Sequence, residues 1–271
     1  MFFQNDSSRF LLIELDETVS TNTYLADYHP PRAVEMTLVT SEFQTAGRGQ
    51  RGNSWEASRG KNLLFSLLIY PSQVSASEMF VLSEVFALSV RDAVKACLPD
   101  GKALNVSVKW PNDIYVDDKK IAGILIENTL QGSHIDRCVI GCGLNVNQDT
   151  FYSDAPNPIS LFQLTGQTHE RRPILEDIVG AFMRRYEAIK KRQYQTIYDE
   201  YMDVLYTRDG IHLYKDSAGS FEAEVAGVEP DGHLVLRDMQ GKKRCYAFKE
   251  VALLSLKGEP KCLYPRQPLH A

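Results

Sequence analysis

Cysteine, tryptophan, excess basic charge and long apolar runs are all scarce in this 271-residue chain. The five cysteines, Cys97, Cys138, Cys142, Cys245 and Cys262, are odd in number, widely spread and without a CxxC pair. That excludes a disulfide framework and a zinc ribbon and leads us to expect reduced thiols. Cys138 and Cys142 have no matching Cys or His pair, so no metal site is expected. No apolar run reaches the ~18 residues that span a bilayer. The longest, Leu63 to Tyr70, is strand-sized and interrupted by Ser66. Thirty Lys and Arg stand against 35 Asp and Glu, a net charge of -5, so the chain as a whole is not built to hold nucleic acid by charge. The start, Met1-Phe2-Phe3-Gln4-Asn5-Asp6, lacks the basic region, apolar stretch and cleavage site of a secretory signal, so a cytoplasmic location is expected. GxxxxGK[ST], HExxH and GxSxG are absent too, and the six scattered histidines suggest no triad.

What is present is an ordinary globular composition, 44% hydrophobic and 24% charged, long enough for a large domain plus a small one. Alternation at Leu11, Ile13 and Leu15 predicts a strand, and Ser20-Thr21-Asn22 caps a short helix that Pro30-Pro31 ends. Further strands are predicted at Thr37–Thr40, Leu63–Tyr70, Val106–Trp110, Ile114–Val116, Ile121–Glu127 and Cys138–Val146. Ser75 and Glu78 read as a capping box before a helix carrying Met79, Leu82, Phe86, Val90, Ala93 and Cys97 on one face. Pro173 reads as the first residue of another helix. After about Asp209 the pattern changes to short alternating runs broken by Pro230-Asp231-Gly232 and Gln240-Gly241, an all-β unit.

Three stretches carry chemistry. Gln44-Thr45-Ala46-Gly47-Arg48-Gly49-Gln50-Arg51-Gly52-Asn53-Ser54-Trp55 alternates glycine with arginine after a strand, a loop suited to an anion or to a solvated turn. Lys109-Trp110-Pro111-Asn112-Asp113 puts a lysine at a strand end, in solvent or in a site at the sheet edge. The Lys119-Lys120 pair that follows reads most simply as a hydrated hairpin tip. Gly141-Cys142-Gly143-Leu144-Asn145 puts glycines inside a strand, marking a bulge or the close approach of another group.

In this order, and with Ser20-Thr21-Asn22 before them and Ile121-Ala122-Gly123-Ile124-Leu125 between, these stretches resemble the biotin protein ligase family over roughly residues 10 to 255. The resemblance implies an α+β fold. A mixed-sheet biotin/lipoate ligase-like catalytic domain would occupy 1–209, and a small SH3-like C-terminal β-barrel with its tail 210–271. It implies a two-step reaction: biotin and ATP with Mg²⁺ give biotinyl-5′-adenylate and pyrophosphate, then the acyl group passes to a lysine of a biotin carboxyl carrier protein domain. No tightly bound prosthetic group is expected. A carboxylate must attack a phosphate, so cations must bridge two anions. By the resemblance, Lys109 contacts the biotin carboxylate and the developing acyl-phosphate, and Arg48 is the second catalytic cation. Ser20, Thr21, Asn22 and Gln44 supply neutral hydrogen bonds to the ureido ring, and Gly49 and Gln50 close over biotin with Arg48. Arg51, Trp55, Asn112, Lys120 and Asn145 face the nucleotide.

Two features depart from the family. The helix-turn-helix domain of ~60 residues that some members carry has no room before Ser20, so no DNA reading is expected. The position after Gly49, often arginine in the family, is Gln50. The alternatives are a lipoate or octanoyl ligase or transferase of the same fold, and a nucleic-acid-binding module built on the terminal β unit with Lys242-Lys243-Arg244 as its basic tip.

Overall fold

The computed structural model describes residues 10–31, 34–99, 104–153 and 157–254, without the side chain of Arg51. Cys262 and any role of the Arg51 side chain therefore lie outside the described residues.

Seven strands form the first sheet: β1 (Phe10–Thr18), β2 (Met36–Gln44), β3 (Leu63–Ile69), β4 (Val106–Lys109), β5 (Asp113–Val116), β6 (Lys119–Gln131) and β7 (His134–Leu144), in the order β1-β2-β3-β7-β6-β5-β4. β1 and β2 are parallel and every other pairing is antiparallel, so the sheet is mixed. Helix α1 (Thr21–Ala26) covers one face; α2 (Phe80–Ala96), α4 (Arg171–Lys190) and α5 (Tyr194–Asp203) form the other layer, and α3 (Leu161–Thr165) is a short connector.

Strand β3 shows how the two faces are assigned. It is buried along its whole length, as a strand covered on both sides must be. Leu63, Phe65, Leu67 and Ile69 enter the large core with Leu82 and Phe86 of α2. Leu68 joins Leu25 of α1, Val39 and Val139 in a small cluster on the opposite face. The period of two then puts Leu64 and Ser66 on the α1 face as well. Behind the sheet, Phe86 packs between Phe65, tilted at 46°, and Phe182, edge-on at 65°, with ring centroids 6.1 and 5.6 Å away.

The helix starts differ from the sequence reading. Ser75 Oγ donates to the Glu78 carboxylate at 2.7 Å rather than accepting from a backbone N–H, and it opens only a single 3₁₀ turn before α2. Pro173 is the third residue of α4, still inside the first turn where a missing N–H costs nothing. The reciprocal capping box is at Ser160 and Gln163, starting α3.

Glu84 of α2 is only 5% exposed. Burial pushes its carboxyl up to about 8, against an ordinary 4.5. The folded state thus favours the protonated form. The associated stability is complete below pH ~4.5 and is lost as pH rises to ~8, at most about 4–5 kcal/mol. Glu84→Gln is expected to flatten that decline. Urea midpoints of both proteins at pH 5, 6, 7 and 8 check it, and parallel curves would contradict it.

The second sheet is antiparallel, from β8 (His212–Asp216), β9 (Gly219–Val228), β10 (Leu234–Asp238), β11 (Lys243–Tyr246) and β12 (Ala252–Leu253), in the order β11-β10-β9-β8-β12. This is the SH3-like unit, and among the described residues no ladder joins β11 to β12. Its inward side chains Tyr214, Ala223 and Leu236 share one core with Phe65 and Phe86. The β9–β10 turn is fastened to the residue after β4 and to the start of α2. Trp110 Nε1 donates to the Gly232 carbonyl at 2.9 Å, and Phe80 N–H donates to the Pro230 carbonyl at 3.1 Å. Gly232 has φ +97°, and a Cβ there would lie 2.8 Å from the Phe80 ring.

Candidate active site

On the α1 face the sheet is floored with small residues, and the cross-strand register lines them up. Ser66 stands opposite Gly141, which stands opposite Leu125. The next row runs Leu64, Gly143, Gly123, Asp113, Lys109. Missing side chains leave space for two large polar groups. A Cβ on Gly141 would lie 2.0 Å from Asn22 Oδ1, and one on Gly143 would lie 2.3 Å from the Trp55 indole. The strand glycines thus mark close approach, and the groups that approach are the chain's own side chains.

Above this floor lies an open cleft, about 770 Å³ with its mouth and the solvent in it included. Ser20, Thr21, Asn22, Gln44, Arg48, Gly49, Gln50, Trp55, Asn112 and Lys120 all line it. Thr21 N–H and Oγ1 both donate to Gln44 Oε1, at 2.7 and 3.1 Å. Buried Ser66, the residue that interrupts the apolar run, has its Oγ 2.7 Å from Thr21 Oγ1 and 2.6 Å from Asn22 Oδ1. Asn22 Nδ2 in turn donates to Glu127 Oε2 at 2.8 Å. Asn112 is held by its Nδ2 on the Ile124 carbonyl, 2.6 Å away.

The Gly-Arg loop is a small hairpin folded over the cleft. Gly49 N–H donates to the Asn53 carbonyl and Trp55 N–H to the Gly47 carbonyl, and a 3₁₀ turn at Gln50–Gly52 closes it. Gly47 is required because a Cβ would come within 2.6 Å of the Trp55 carbonyl. Behind it, Glu56 takes backbone N–H bonds from Tyr152 and Ser153. Burial acts to raise its pKa, but these bonds and the contacts with the Ser153 and Gln148 side chains hold the carboxyl below the ordinary value.

Two cations meet carboxylates here. Lys120 Nζ is 2.7 Å from Asp113 Oδ2 and 5.7 Å from the Trp55 ring centre. Arg48 Nη2 is 2.5 Å from Glu127 Oε1. A bulge aims Lys120: β5–β6 pairing passes from Ile114↔Ala122 to Tyr115↔Lys120, so one extra residue returns Lys120 to the face of Asp113. The hydrated-tip reading fits only Lys119, which is exposed.

Two expected site residues lie off the cleft. Lys109 is 6% exposed, and its Nζ donates to Tyr115 Oη at 3.2 Å and sits over the Tyr115 and Tyr206 rings. It shares a row with Asp113 but occupies the edge strand, where the Leu205–Thr207 turn and the second sheet enclose it. Asn145 is buried on another course. Its Nδ2 donates to the Ile159 carbonyl at 3.1 Å and its N–H to that of Ile121 at 2.9 Å, which fastens the segment leading to α3. Sequence reading missed Glu127 and Phe248 as parts of the site. Glu127 ends the Gly123–Glu127 run and could have been suspected as a counter-charge, but Phe248 comes from the second sheet and carries no local signal.

The site combines two paired cations, a neutral polar network and an aromatic plane. Such a set can hold an anion beside an uncharged polar ring and a flat base. Among the described residues no group of three or more His, Cys, Asp or Glu could hold a metal ion, and no helix is long and apolar enough to cross a membrane. In the basic tip of the second sheet, Arg244 is engaged by Asp238 and Asp216 at 3.0 and 3.5 Å.

Residues 15–145 match the family model described as Biotin/lipoate A/B protein ligase family. The bifunctional ligase/repressor BirA of Bacillus subtilis (strain 168) is 28% identical over 243 residues, which are 86% of this chain and 70% of that protein. The biotin–[acetyl-CoA-carboxylase] ligase of Paracoccus denitrificans is 29% identical over 241 residues, 84% of this chain and 95% of that one. Among solved structures, the biotin protein ligase from Aquifex aeolicus in complex with biotin and ATP has a TM-score of 0.74 at 24% identity, covering 90% of this chain and 98% of that chain.

Proposed function

We propose that this chain, whose residues 15–145 match the biotin/lipoate A/B protein ligase family model, activates biotin with ATP and transfers it to a lysine of a biotin carboxyl carrier protein domain. In the first step a biotin carboxylate oxygen attacks the α-phosphorus, and pyrophosphate leaves. In the second the lysine nitrogen attacks the acyl carbon, the acyl–phosphate oxygen bond breaks, AMP leaves, and the amine proton passes to solvent. ATP enters as its magnesium complex, a substrate rather than a resident cofactor. The enzyme works in the cytoplasm, and its catalytic and C-terminal domains meet at 209/210.

The observation that carries this reading is one cleft holding Lys120 and Arg48 beside the neutral Thr21–Gln44–Ser66–Asn22 network. Lys120, rather than Lys109, is the cation that bridges carboxylate and phosphate. Its charge is already compensated by Asp113, so an arriving anion exchanges one partner for another without leaving a bare ammonium. Arg48 is compensated in the same way by Glu127. The ureido ring, neutral and rich in donors and acceptors, suits Ser20, Thr21, Asn22 and Gln44. Trp55 offers its face to adenine. Pyrophosphate exchange into ATP tests the reading. It is expected to require biotin, and exchange with lipoate in place of biotin would favour the lipoate alternative.

Gln50 lines the cleft, and its Oε1 is buried without a hydrogen-bond partner. An arginine there would add a fixed charge near the acyl-phosphate. Gln50→Arg is expected to lengthen the lifetime of enzyme-bound biotinyl-adenylate about tenfold, equivalent to about 1.4 kcal/mol. Release of radiolabelled adenylate from preloaded enzyme measures it, and equal or faster release by the variant would contradict it.

A further inference from the structure

We propose that Arg137 is a positioning residue for biotin: its guanidinium grips the C-terminal end of α1 and so sets where the other end of that helix presents Thr21 and Asn22. This rests on the ligase reading above and adds to it a residue outside the cleft. Arg137 Nη1 donates to the Ala26 carbonyl and Nη2 to the Tyr28 carbonyl, each at 2.7 Å, and Nη2 donates to the Leu25 carbonyl as well. Thr21 and Asn22 line the cleft, whereas Arg137 is not among its lining residues.

Helix α1 needs such a hold. With six residues it is far below the length at which a helix stands alone, so tertiary contacts must place it. A helix leaves its last carbonyls without the usual partner four residues on. The last turn of α1 carries no basic residue of its own, and at the other end the Ser20 side chain makes no capping bond. Strand β7 supplies the missing cation. The period of two puts Arg137, Val139 and Gly141 on the face beneath α1, and all three meet the helix. Arg137 takes its final carbonyls, Val139 packs in one cluster with Leu25, and Gly141 makes room for Asn22, whose Oδ1 would lie 2.0 Å from a Cβ there. One strand thus seats both ends of the helix. A guanidinium suits several carbonyls at once, because its five N–H donors are fixed in a plane, whereas an ammonium is a point charge. Asn22 lies four residues before Ala26, about 6 Å along the helix, so a shift at the gripped end is carried to it. The ureido ring is remote from the reacting carboxylate. Its bonds therefore act equally in the ground and transition states, and weakening them raises KM without lowering kcat.

The test measures biotin-dependent pyrophosphate exchange by the whole chain, by Arg137→Met and by Arg137→Lys. Arg185→Met is the control for loss of a structural arginine, since Arg185 ties α4 to Asp92 and Glu200 at 2.7 and 3.2 Å. Arg137→Met is expected to raise the KM for biotin about fivefold or more, with kcat and the KM for ATP within about twofold of wild type. Arg137→Lys, which keeps the charge without the fork, is expected to give a smaller rise of about twofold or more, and Arg185→Met none. When Asn22→Ala is already present, the rise caused by Arg137→Met is expected to shrink by more than half, because one of the side chains through which it acts is gone. A rise below fivefold in folded Arg137→Met overturns the proposal. So does an equal rise for ATP, an equal rise in Arg185→Met, or a rise undiminished without Asn22. If Arg137→Met does not fold, Arg137→Lys decides, and a rise below twofold overturns the proposal. Absence of biotin-dependent exchange in the wild type would overturn the ligase reading instead, so the two failures are distinguishable.

Discussion

Lys120→Ala is expected to lower biotin-dependent pyrophosphate exchange by about 10²–10³-fold, while Lys109→Met keeps exchange within about threefold per folded molecule. The figure for Lys120 starts from the loss of a charge-assisted bond, about 1.5–3 kcal/mol, and adds stabilisation of charge that develops only in the transition state. Lys120 reaches the cleft because the β5–β6 bulge turns it there, and Asp113 at 2.7 Å holds its ammonium in place. Lys109 is separated from the cleft by its position on the edge strand and bonds to Tyr115. Its replacement by an apolar chain of similar length is expected to change the urea midpoint rather than the chemistry. A folded Lys109→Met without exchange, alongside an active Lys120→Ala, would reverse the assignment.

Gly141→Ala is expected to have the second largest effect, because Asn22 has nowhere to go. The new methyl would sit 2.0 Å from Asn22 Oδ1 and 2.8 Å from its Cγ. That side chain is held at both ends, by Ser66 on Oδ1 and by Glu127 and the Leu125 carbonyl on Nδ2. Overpacking costs about 1–3 kcal/mol, and loss of the network is expected to raise the KM for biotin at least tenfold. If the clash is the cause, the stability cost disappears when Asn22→Ala removes the opposing atoms. The coupling between the two substitutions should therefore nearly equal the single-site cost. Additive destabilisation in the double variant would show that Gly141 is needed for some other reason.

Much of this site was legible in the sequence because its chemistry is local. Ser66 interrupts an apolar run, and its hydroxyl is the centre of the buried network. Gly141 and Gly143 announced close approach by occupying strand interiors, and Gly47, Arg48 and Gly49 marked the loop that folds over the cleft. Two kinds of information were not local. Register is one: the extra residue in the β5–β6 pairing decides that Lys120 faces inward, and no pattern of apolar residues discloses a bulge. Coverage is the other. Whether the strand-end Lys109 meets solvent, substrate or tyrosine depends on Leu205–Thr207 and on the second sheet, about a hundred residues and more away in the chain. Phe248 entered the cleft wall by the same long-range packing. The short helices α3 and α5 escaped for a milder reason, since few turns leave little periodicity to detect.

The central claim is that this cleft makes biotinyl-adenylate for transfer to a carrier lysine. The most direct measurement is the intact mass of a biotin carboxyl carrier protein domain incubated with the enzyme, ATP and magnesium, with biotin and lipoate supplied in parallel reactions. The expected result is a single biotinyl addition at one lysine, dependent on ATP, and no lipoyl addition. Lipoyl addition without biotinyl addition, or an unmodified carrier in both reactions, would contradict it.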